Sequence, residues 1–440
     1  MSSRLIAAMV VVGAMAAGAP ARATAQGSQN QATPPPGRVP VPTARITFRD
    51  AVDQAIQRNP SVQQAATEIL RAQGLLQQAR AITLPGISGN VVTLAQRHVV
   101  FAGQSVTPAE QVTANVGLAA PLFAPALWAQ TVQAQDVVRV QQVNAADVRR
   151  QVAVATAQTY LSIIARRRVF EADIRARDTA KAHYDLAHQQ LVAGAGSLLN
   201  ELRAQQVLSA DELLVEEASL DVYRAQEALG VLVGADGPRD TGDEPVLQAP
   251  MTLQAAEAAM PDARTDVQLA AARQAAALRV WKDSWKDWLP TASGLVQPQY
   301  LQPSTFFSPS LSWRAQVAVS VPLFDAGLRR ALRTEREAAF NESQLQHEAV
   351  LRQARSDVRT ADESVKSAER SLDDARAAAD QARHVLDIVN VSFKAGAATE
   401  IEVIDAQRAL LDAETSVAVT EDLLRQARLA LLVALGQFPA

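Results

Sequence analysis

The feature that most restricts the fold is an internal duplication. Motifs of the first half of the chain recur in the same order in the second half, between 201 and 205 residues later. The matched pairs are Thr47 and Thr252, Leu84-Pro85 and Leu289-Pro290, Pro121-Leu122-Phe123 and Pro322-Leu323-Phe324, and Gly194 and Gly396. Since the spacing drifts by only a few residues, we interpret residues 46–235 and 251–438 as two copies of one unit, joined by a connecting segment at 236–250.

Each copy contains two runs in which apolar and polar residues alternate. They lie near 86–97 and 111–120 in the first copy, and near 292–301 and 311–321 in the second. Alternation places successive side chains on opposite faces of a sheet. About ten residues per run is enough for a tilted strand to cross a bilayer. The sequence therefore predicts two strand pairs, with Pro298 interrupting the third strand.

Long helices surround these strands. Thr47-Phe48-Arg49-Asp50 resembles a capping box at the start of a helix of about 35 residues. Leu328–Lys394 contains neither Pro nor Gly, and Leu or Val at 351, 358, 365 and 372 alternates with Ala at 354, 361, 368 and 375. A sustained seven-residue repeat imposes coiled-coil packing. Gly-bearing turns at 193–197 and 395–399 are typical of the tips of helical hairpins.

The composition agrees with thin, closely packed helices and excludes several classes of function. Apolar residues make up 48% of the chain, but aromatic residues only 4%. The absence of cysteine excludes disulfides, thiolate metal sites and lipid attachment through an N-terminal Cys. A net charge of −4 gives no electrostatic footprint for nucleic acid. The five His are dispersed and no catalytic motif occurs, so we expect no enzyme activity, no cofactor and no metal site.

The N-terminus predicts export. Arg4 precedes the apolar run Leu5–Ala17, and small residues follow, which is the layout of a cleaved signal peptide at residues 1–25. A membrane anchor is the alternative, but the run is shorter than the roughly 20 residues that spanning requires. The Gln- and Pro-rich residues 26–45 are expected to be a disordered lead-in.

Four amphipathic strands cannot enclose a pore, and unpaired strand edges are too costly in lipid. In a ring of identical chains, every strand edge can pair and the hairpins can bury their apolar surface against one another. Such a ring forms a continuous duct. The alternative is a periplasmic coiled-coil scaffold or adaptor protein without a pore. Strands of bilayer length with apolar faces argue against that alternative. An exported enzyme is a third and weaker hypothesis.

Several of these motifs together resemble the TolC-type outer-membrane efflux proteins, also called outer-membrane factors. The motifs are Thr47-Phe48-Arg49-Asp50-Ala51-Val52, Asn59-Pro60-Ser61-Val62, Leu289-Pro290, Pro322-Leu323-Phe324-Asp325-Ala326-Gly327, the two Gly-bearing tips and Leu435-Gly436. The resemblance covers nearly the whole chain after the signal peptide.

The resemblance implies a mainly α fold with a small β part, which trimerises into a 12-stranded β-barrel continued by a 12-helix α-barrel. It implies a passive outer-membrane channel-tunnel for efflux or type I secretion, with a long periplasmic extension. The implied partners are two further copies of the chain, outer-membrane lipid, a periplasmic adaptor (membrane fusion) protein and an inner-membrane pump.

The resemblance also assigns candidate sites. The adaptor-docking surface falls on the two tips, at Gly194, Ala195 and Gly196 and at Gly396, Ala397 and Ala398, although these glycines could merely terminate helices. Glu402 and Asp405, three residues apart on one helix face, would line the periplasmic constriction of the duct in two acidic rings. The alternative for this pair is a solvated helix face.

Four tryptophans are candidates for the membrane surface. Trp281, Trp285 and Trp288 are spaced at i, i+4 and i+7 just before the second strand pair, as in an aromatic belt at a membrane interface. An ordinary core stripe is an equally good interpretation of the three. Trp313 falls on the apolar face of its strand, where we expect it to contact lipid.

Overall fold

The computed structural model describes residues 44–101, 104–247, 260–304 and 308–438. The predicted signal peptide, most of the predicted lead-in and the first residues of the second unit, including Thr252, lie outside these ranges. Among the described residues, no helix is both long enough and apolar enough to span a membrane.

Seven α-helices account for most of the described chain. They are α1 (Phe48–Arg58), α2 (Pro60–Ala81), α3 (Pro125–Val192), α4 (Leu198–Val233), α5 (Thr265–Lys282), α6 (Leu328–Lys394) and α7 (Glu400–Ala434). Helices α3 and α4 form one hairpin, α6 and α7 form the other, and α3 also packs against α7.

The strands form one principal sheet and two small pairs. The principal sheet contains β2 (Gly86–Ala95), β5 (Glu110–Phe123), β7 (Thr291–Gln302) and β8 (Leu311–Ser320), in the order β2-β5-β7-β8 and antiparallel throughout. Strands β3 (Val99–Phe101) and β4 (Gln104–Thr107) pair beyond the ends of β2 and β5. The prediction of a mainly helical chain with two long hairpins and two strand pairs is confirmed.

The helix of about 35 residues expected at the start of the first unit is instead two helices. Thr47 caps α1 as predicted, because its side chain accepts a hydrogen bond from Asp50 N. The chain then turns at Asn59, whose φ of −63° and ψ of 129° are extended. Pro60 disfavours a helical conformation for the residue before it, and Asn59 then caps α2 by accepting from Ser61 N at 2.9 Å.

Two short strands occupy segments for which the sequence predicted no structure. β1 (Ala44–Ile46) includes the last two residues of the expected disordered lead-in, and it pairs in parallel with β6 (Arg239–Thr241) of the connecting segment. Tyr160, which is fully buried, contacts both segments: its hydroxyl lies 3.1 Å from Ile46 O of β1, and Gly242 N and Asp243 N, just after β6, each donate to it at 3.1 Å. Three-residue strands give no alternation for a sequence pattern to reveal.

The heptad seam predicted for α6 is the buried seam of that helix. All seven of its buried residues fall on the two predicted positions: Ala354, Val358, Ala361, Leu372, Ala375, Ala379 and Leu386. Four of the seven are alanines, so the neighbouring backbones approach closely, as coiled-coil packing requires.

Pro298 does not interrupt β7, contrary to the prediction. The strand continues through it, and Pro298 pairs opposite Trp313 of β8. The register to β5 does skip this point, passing from Asn115–Gln299 to Leu118–Val296. Because proline has no N–H to donate, it weakens one ladder while leaving the strand and the other ladder intact.

Candidate functional site

The principal sheet has one apolar and one polar face. Trp313, Val317 and Val319 of β8 share the apolar face with Val116 and Val296, and all five side chains are exposed, with Trp313 at 75%. The other face carries most of the polar side chains of the sheet: Ser88, Asn90, Thr113, Asn115, Gln297, Gln299, Ser312, Arg314 and Gln316. Strand pairing therefore segregates apolar from polar surface over the width of four strands.

The two hairpin tips are built by the same backbone device. Gly194 and Gly396 both have φ of 76°, which an L side chain adopts only with strain. The N–H of each glycine donates to the carbonyl three residues back, and the next N–H reaches five residues back: Ala195 N to Gln190 O, and Ala397 N to Ser392 O, at 2.8 Å each. This is the Schellman arrangement that ends helices. The glycines thus have a structural role, and their docking role stays a prediction.

The predicted docking residues lie at the surface. Gly194, Ala195, Gly396 and Ala397 are exposed, while Gly196 and Ala398 are partly covered. A Cβ at Gly396 would meet nothing within 4 Å, whereas one at Gly196 would lie 2.9 Å from Leu191 N. Gly196 N also donates to Gln190 O at 2.9 Å, so position 196 of the first tip lies close to the backbone of α3.

A buried pair connects the two hairpins near their tips. His183 of α3 and Glu400 of α7 are both less than a tenth exposed, and His183 Nε2 lies 2.6 Å from Glu400 Oε1. Phe393 packs on the same imidazole, with ring centroids 5.6 Å apart. This contact places both tips at the same end of the helical body.

The two acidic residues of the predicted constriction, at 402 and 405, have different local surroundings. Glu402 reaches back over the start of α7, where Thr399 N donates to its Oε2 at 2.6 Å and the Thr399 side chain accepts from Glu402 N. These hydrogen bonds hold the pKa of the Glu402 carboxyl below its usual range. Asp405 is exposed one turn later. Glu402 thus completes a capping box, whereas Asp405 is an exposed side chain outside the cap.

Two carboxylates of α7 connect the first hairpin to the second. Glu421 accepts from Arg168 of α3 at 2.6 Å and from Arg376 of α6 at 3.0 Å. One heptad away, Glu414 accepts from Arg175 of α3 at 2.9 Å and from Arg383 of α6 at 3.0 Å. We call these two sites the arginine clamps.

The arginines determine the charge state of the clamp at Glu414. Burial disfavours its charged form, but the hydrogen bonds from Arg175 and Arg383 outweigh burial and lower the pKa of the Glu414 carboxyl. Sequence reasoning missed the clamps. The signal was present, because all three helices repeat the charge seven residues later: 168 and 175, 376 and 383, and 414 and 421.

A groove of about 730 Å³ lies beside the clamps and is lined mainly by residues of α3, α4 and α7. Its apolar lining includes Leu214, Ile401 and Ile404, and its charged lining includes Arg203 and Asp211. Burial, followed by the nearby charge of Asp173, raises the pKa of the Asp211 carboxyl. The groove approaches the tip of the second hairpin, because Ile401 follows Gly396 by five residues.

The tryptophans before the second strand pair do not share one helical stripe. Helix α5 ends at Lys282, and a 3₁₀ helix (Asp283–Trp288) carries Trp285 and Trp288. Trp281 stacks on Phe340 with ring centroids 5.4 Å apart, so it packs between α5 and α6. Trp285 and Trp288 are exposed by 55% and 39%. The interface prediction therefore depends on these two and on Trp313.

Among the described residues, no group of three or more His, Cys, Asp or Glu side chains is arranged to hold a metal ion. The features with functional geometry are the amphipathic sheet, the tips with the groove above them, and the contacts between the hairpins.

Comparisons with known proteins agree on one kind of molecule. The family described as outer membrane efflux protein matches residues 51–235 and 245–437, which is most of the chain and follows its duplication. A comparison with the curated proteins gives no match.

Solved structures share the fold. The outer membrane protein VceC from Vibrio cholerae is 20% identical with a TM-score of 0.75, over 88% of this chain and 96% of that one. The CmeC outer membrane channel of Campylobacter jejuni is 15% identical with a TM-score of 0.78, over 89% and 87%. The MtrE outer membrane channel of Neisseria gonorrhoeae, in its open state, is 18% identical with a TM-score of 0.73, over 90% of each chain.

At these identities the structural likeness establishes the fold, and the family match establishes the kind of protein. The protein is then located in the outer membrane and has a periplasmic helical extension. The chain is therefore a member of the outer membrane efflux protein family, whose proteins are channels.

Proposed function

We propose that three copies of this chain form a passive outer-membrane duct, with a 12-stranded barrel in the membrane and a 12-helix tube in the periplasm. The observation that carries the proposal is the principal sheet. Its strands of 10 to 14 residues are long enough to cross a bilayer, and its apolar face is exposed. Among the strands that the structure describes, β2 and β8 each have one edge without a partner strand.

Further copies of the chain can pair with the two open strand edges of the principal sheet. An unpaired edge leaves N–H and C=O groups unsatisfied, and each such group costs several kcal/mol in hydrocarbon. Pairing β8 of one copy with β2 of the next removes every edge. Twelve strands follow from three copies of four.

The test of this proposal is the mass and location of the native protein. We expect detergent extraction of the separated outer membrane to yield a particle of three chains that conducts ions in a planar bilayer. A soluble periplasmic monomer or dimer would overturn the duct and favour the scaffold without a pore.

The helical end is proposed to dock a periplasmic adaptor protein that connects the duct to an inner-membrane pump, for efflux or type I secretion. Both tips lie at this end, and the exposed Ala195 and Ala397 present only methyl side chains there. The groove between α4 and α7 offers an adjoining site lined by both apolar and charged residues, which suits an amphipathic helix.

Ala397→Glu and Ala195→Glu are predicted to weaken adaptor binding by ten-fold or more while leaving the trimer intact. Each places a charge that must be desolvated at the contact, which costs more than about 1.4 kcal/mol. Ala397 suits this test better than Gly396, because any side chain at Gly396 adds strain of about 1–2 kcal/mol. Co-purification of trimer and adaptor measures the effect, and Ala397→Ser is the matched control. Unchanged binding by both Glu variants would remove the tips from the docking surface.

Glu402 and Asp405 are proposed to form acidic rings at the periplasmic constriction, where such rings favour cations. Replacing Glu402→Gln together with Asp405→Asn is predicted to lower the cation-to-anion permeability ratio several-fold. These substitutions are preferred to alanine because glutamine keeps the capping box at Thr399. Reversal potentials across a salt gradient measure the ratio. Asp405→Asn alone should also lower the ratio, because the Asp405 carboxylate takes no part in the cap. An unchanged ratio in the double variant would return both residues to a solvated helix face.

A further inference from the structure

The polar face of the principal sheet carries a single charge. Within its four strands the charged residues are Glu110 and Arg314, and Glu110 is the first residue of β5, at the loop end of the sheet. Arg314 lies on the polar face, opposite Gln297 in the register between β7 and β8. Ser312 and Gln316 flank it on the same face of β8, so its surroundings are neutral and polar.

The side chain of Arg314 is held by a neutral partner. Its Nη2 donates to Gln297 Oε1 at 2.7 Å, and the residue remains exposed. Among the described residues no carboxylate forms an ion pair with it. Gln297 therefore orients the guanidinium without neutralising its charge.

We propose that Arg314 forms a cationic ring inside the barrel and gives the outer half of the duct a preference for anionic solutes. This inference depends on the proposed trimer, in which the apolar face meets lipid and the polar face lines the lumen. Three copies then place three uncompensated guanidinium groups at one level. Rings of arginine are a recurring source of anion preference in pores.

The proposed barrel is narrow enough for the Arg314 charges to act on a solute at its axis. Twelve strands spaced about 4.8 Å apart and tilted by about 40° close into a cylinder roughly 24 Å across. A solute on the axis then lies within about 12 Å of each Arg314 backbone, and closer to the guanidinium. The Debye length at physiological ionic strength is about 8 Å, so the three charges are only partly screened.

The ring has the opposite sign to the acidic pair proposed for the periplasmic end. A solute that carries a carboxylate, phosphate or sulfonate group would be favoured at Arg314 and disfavoured at Asp405. The outer half of the duct must therefore be examined separately from the constriction, by a probe that reports only on the surface around Arg314.

The chain contains no cysteine, so a single introduced thiol can serve as that probe. Ser312→Cys places a thiol on the polar face two residues from Arg314, and Val317→Cys places one on the apolar face. The rates of modification by an anionic and a cationic methanethiosulfonate reagent of similar size are compared on intact cells. Three partly screened charges at roughly 10 Å predict that the anionic reagent is favoured about three-fold at Ser312→Cys.

Variants at position 314 then test the charge itself. With Ser312→Cys present, Arg314→Gln should abolish the three-fold preference, Arg314→Glu should reverse it, and Arg314→Lys should retain it. Raising the salt to about 1 M should also remove it, because the Debye length falls to about 3 Å. Equal anion-to-cation rate ratios for all four residues at position 314 would overturn the ring.

The control separates this inference from the proposed duct. The thiol of Val317→Cys should react with neither charged reagent, because lipid covers it. If both thiols react equally with both reagents, the sheet is not a membrane barrel, and the proposed function falls together with the ring. If only the Ser312→Cys thiol reacts but its preference is independent of position 314, the duct stands and the ring alone is rejected.

Discussion

Gly230→Ala is expected to lower the free energy of unfolding by about 3 kcal/mol or more. Gly230 lies in the last turn of α4, where a Cβ would come within 2.2 Å of Gly237 O and 3.1 Å of Gly237 C. Both atoms belong to the backbone of the turn that leads into β6, so no side-chain rotation can relieve the clash. The helix end or the turn must move, and with it the pairing of β6 with β1.

Gly74→Ala provides the matched control. Gly74 is also a helical glycine, in α2, but a Cβ there would meet nothing within 4 Å. Alanine is favoured over glycine in a helix by roughly 0.5–1 kcal/mol, so this variant should be slightly more stable than the parent. Urea unfolding of both variants followed by tryptophan fluorescence measures the difference. Changes of the same sign would contradict the close approach of α4 to the turn.

The sequence predicted those parts of the fold in which one pattern persists over many residues. The apolar positions of β8 and of the α6 heptads each recur at least five times, because one face of each element is apolar along its whole length. A repeated pattern of this kind remains recognisable even where single residues depart from it. Pro298 was misjudged for the same reason: a proline is a local signal, and the ladder to β8 tolerates it.

The features that the sequence did not reveal depend on contacts between distant segments. Tyr160 binds the backbone of residues 242 and 243, more than 80 positions away, and no local pattern marks that contact. The pair His183 and Glu400 is separated by 217 positions and depends on which helices are neighbours. The capping box formed by Thr399 and Glu402 was within reach of sequence reasoning, because Thr followed three residues later by Glu is its signature, but Glu402 was considered there only as a ring residue or as part of a solvated helix face.

The arginine clamps combine a repeated pattern with contacts between distant segments. Their heptad spacing can be read from the sequence, but the partner of each charge cannot. The clamp at Glu421 joins the two halves of the duplicated chain: Arg168 belongs to the first hairpin, and Arg376 and Arg425 belong to the second. The Glu421 side chain is only 12% exposed, and its two oxygens are shared among the three arginines. Without this carboxylate, Arg376 would lose this ion pair, and Arg168 and Arg425 would keep, among the described residues, only Glu244, whose side chain is 52% exposed.

Glu421→Ala is therefore expected to destabilise the protein by about 2–3 kcal/mol, between the values for exposed and buried ion pairs. The matched control is Glu369→Ala. Glu369 pairs with Arg428 between the same helices, α6 and α7, at 3.0 Å, but its side chain is 49% exposed, so its loss should cost less than about 1 kcal/mol. Thermal unfolding of the detergent-solubilised protein at constant salt compares the two variants. Equal shifts would mean that Glu421 is another exposed pair.

The position of the clamp also predicts a functional effect. Because Glu421 connects α3 to α6, its loss weakens the contact between hairpins, whereas the loss of Glu369 weakens only the contact within the second hairpin. If the duct widens by separating its hairpins, Glu421→Ala should conduct more than the parent in planar bilayers, while Glu369→Ala should not. A destabilised Glu421→Ala protein with parental conductance would show that the clamp stabilises the helical wall without controlling its opening.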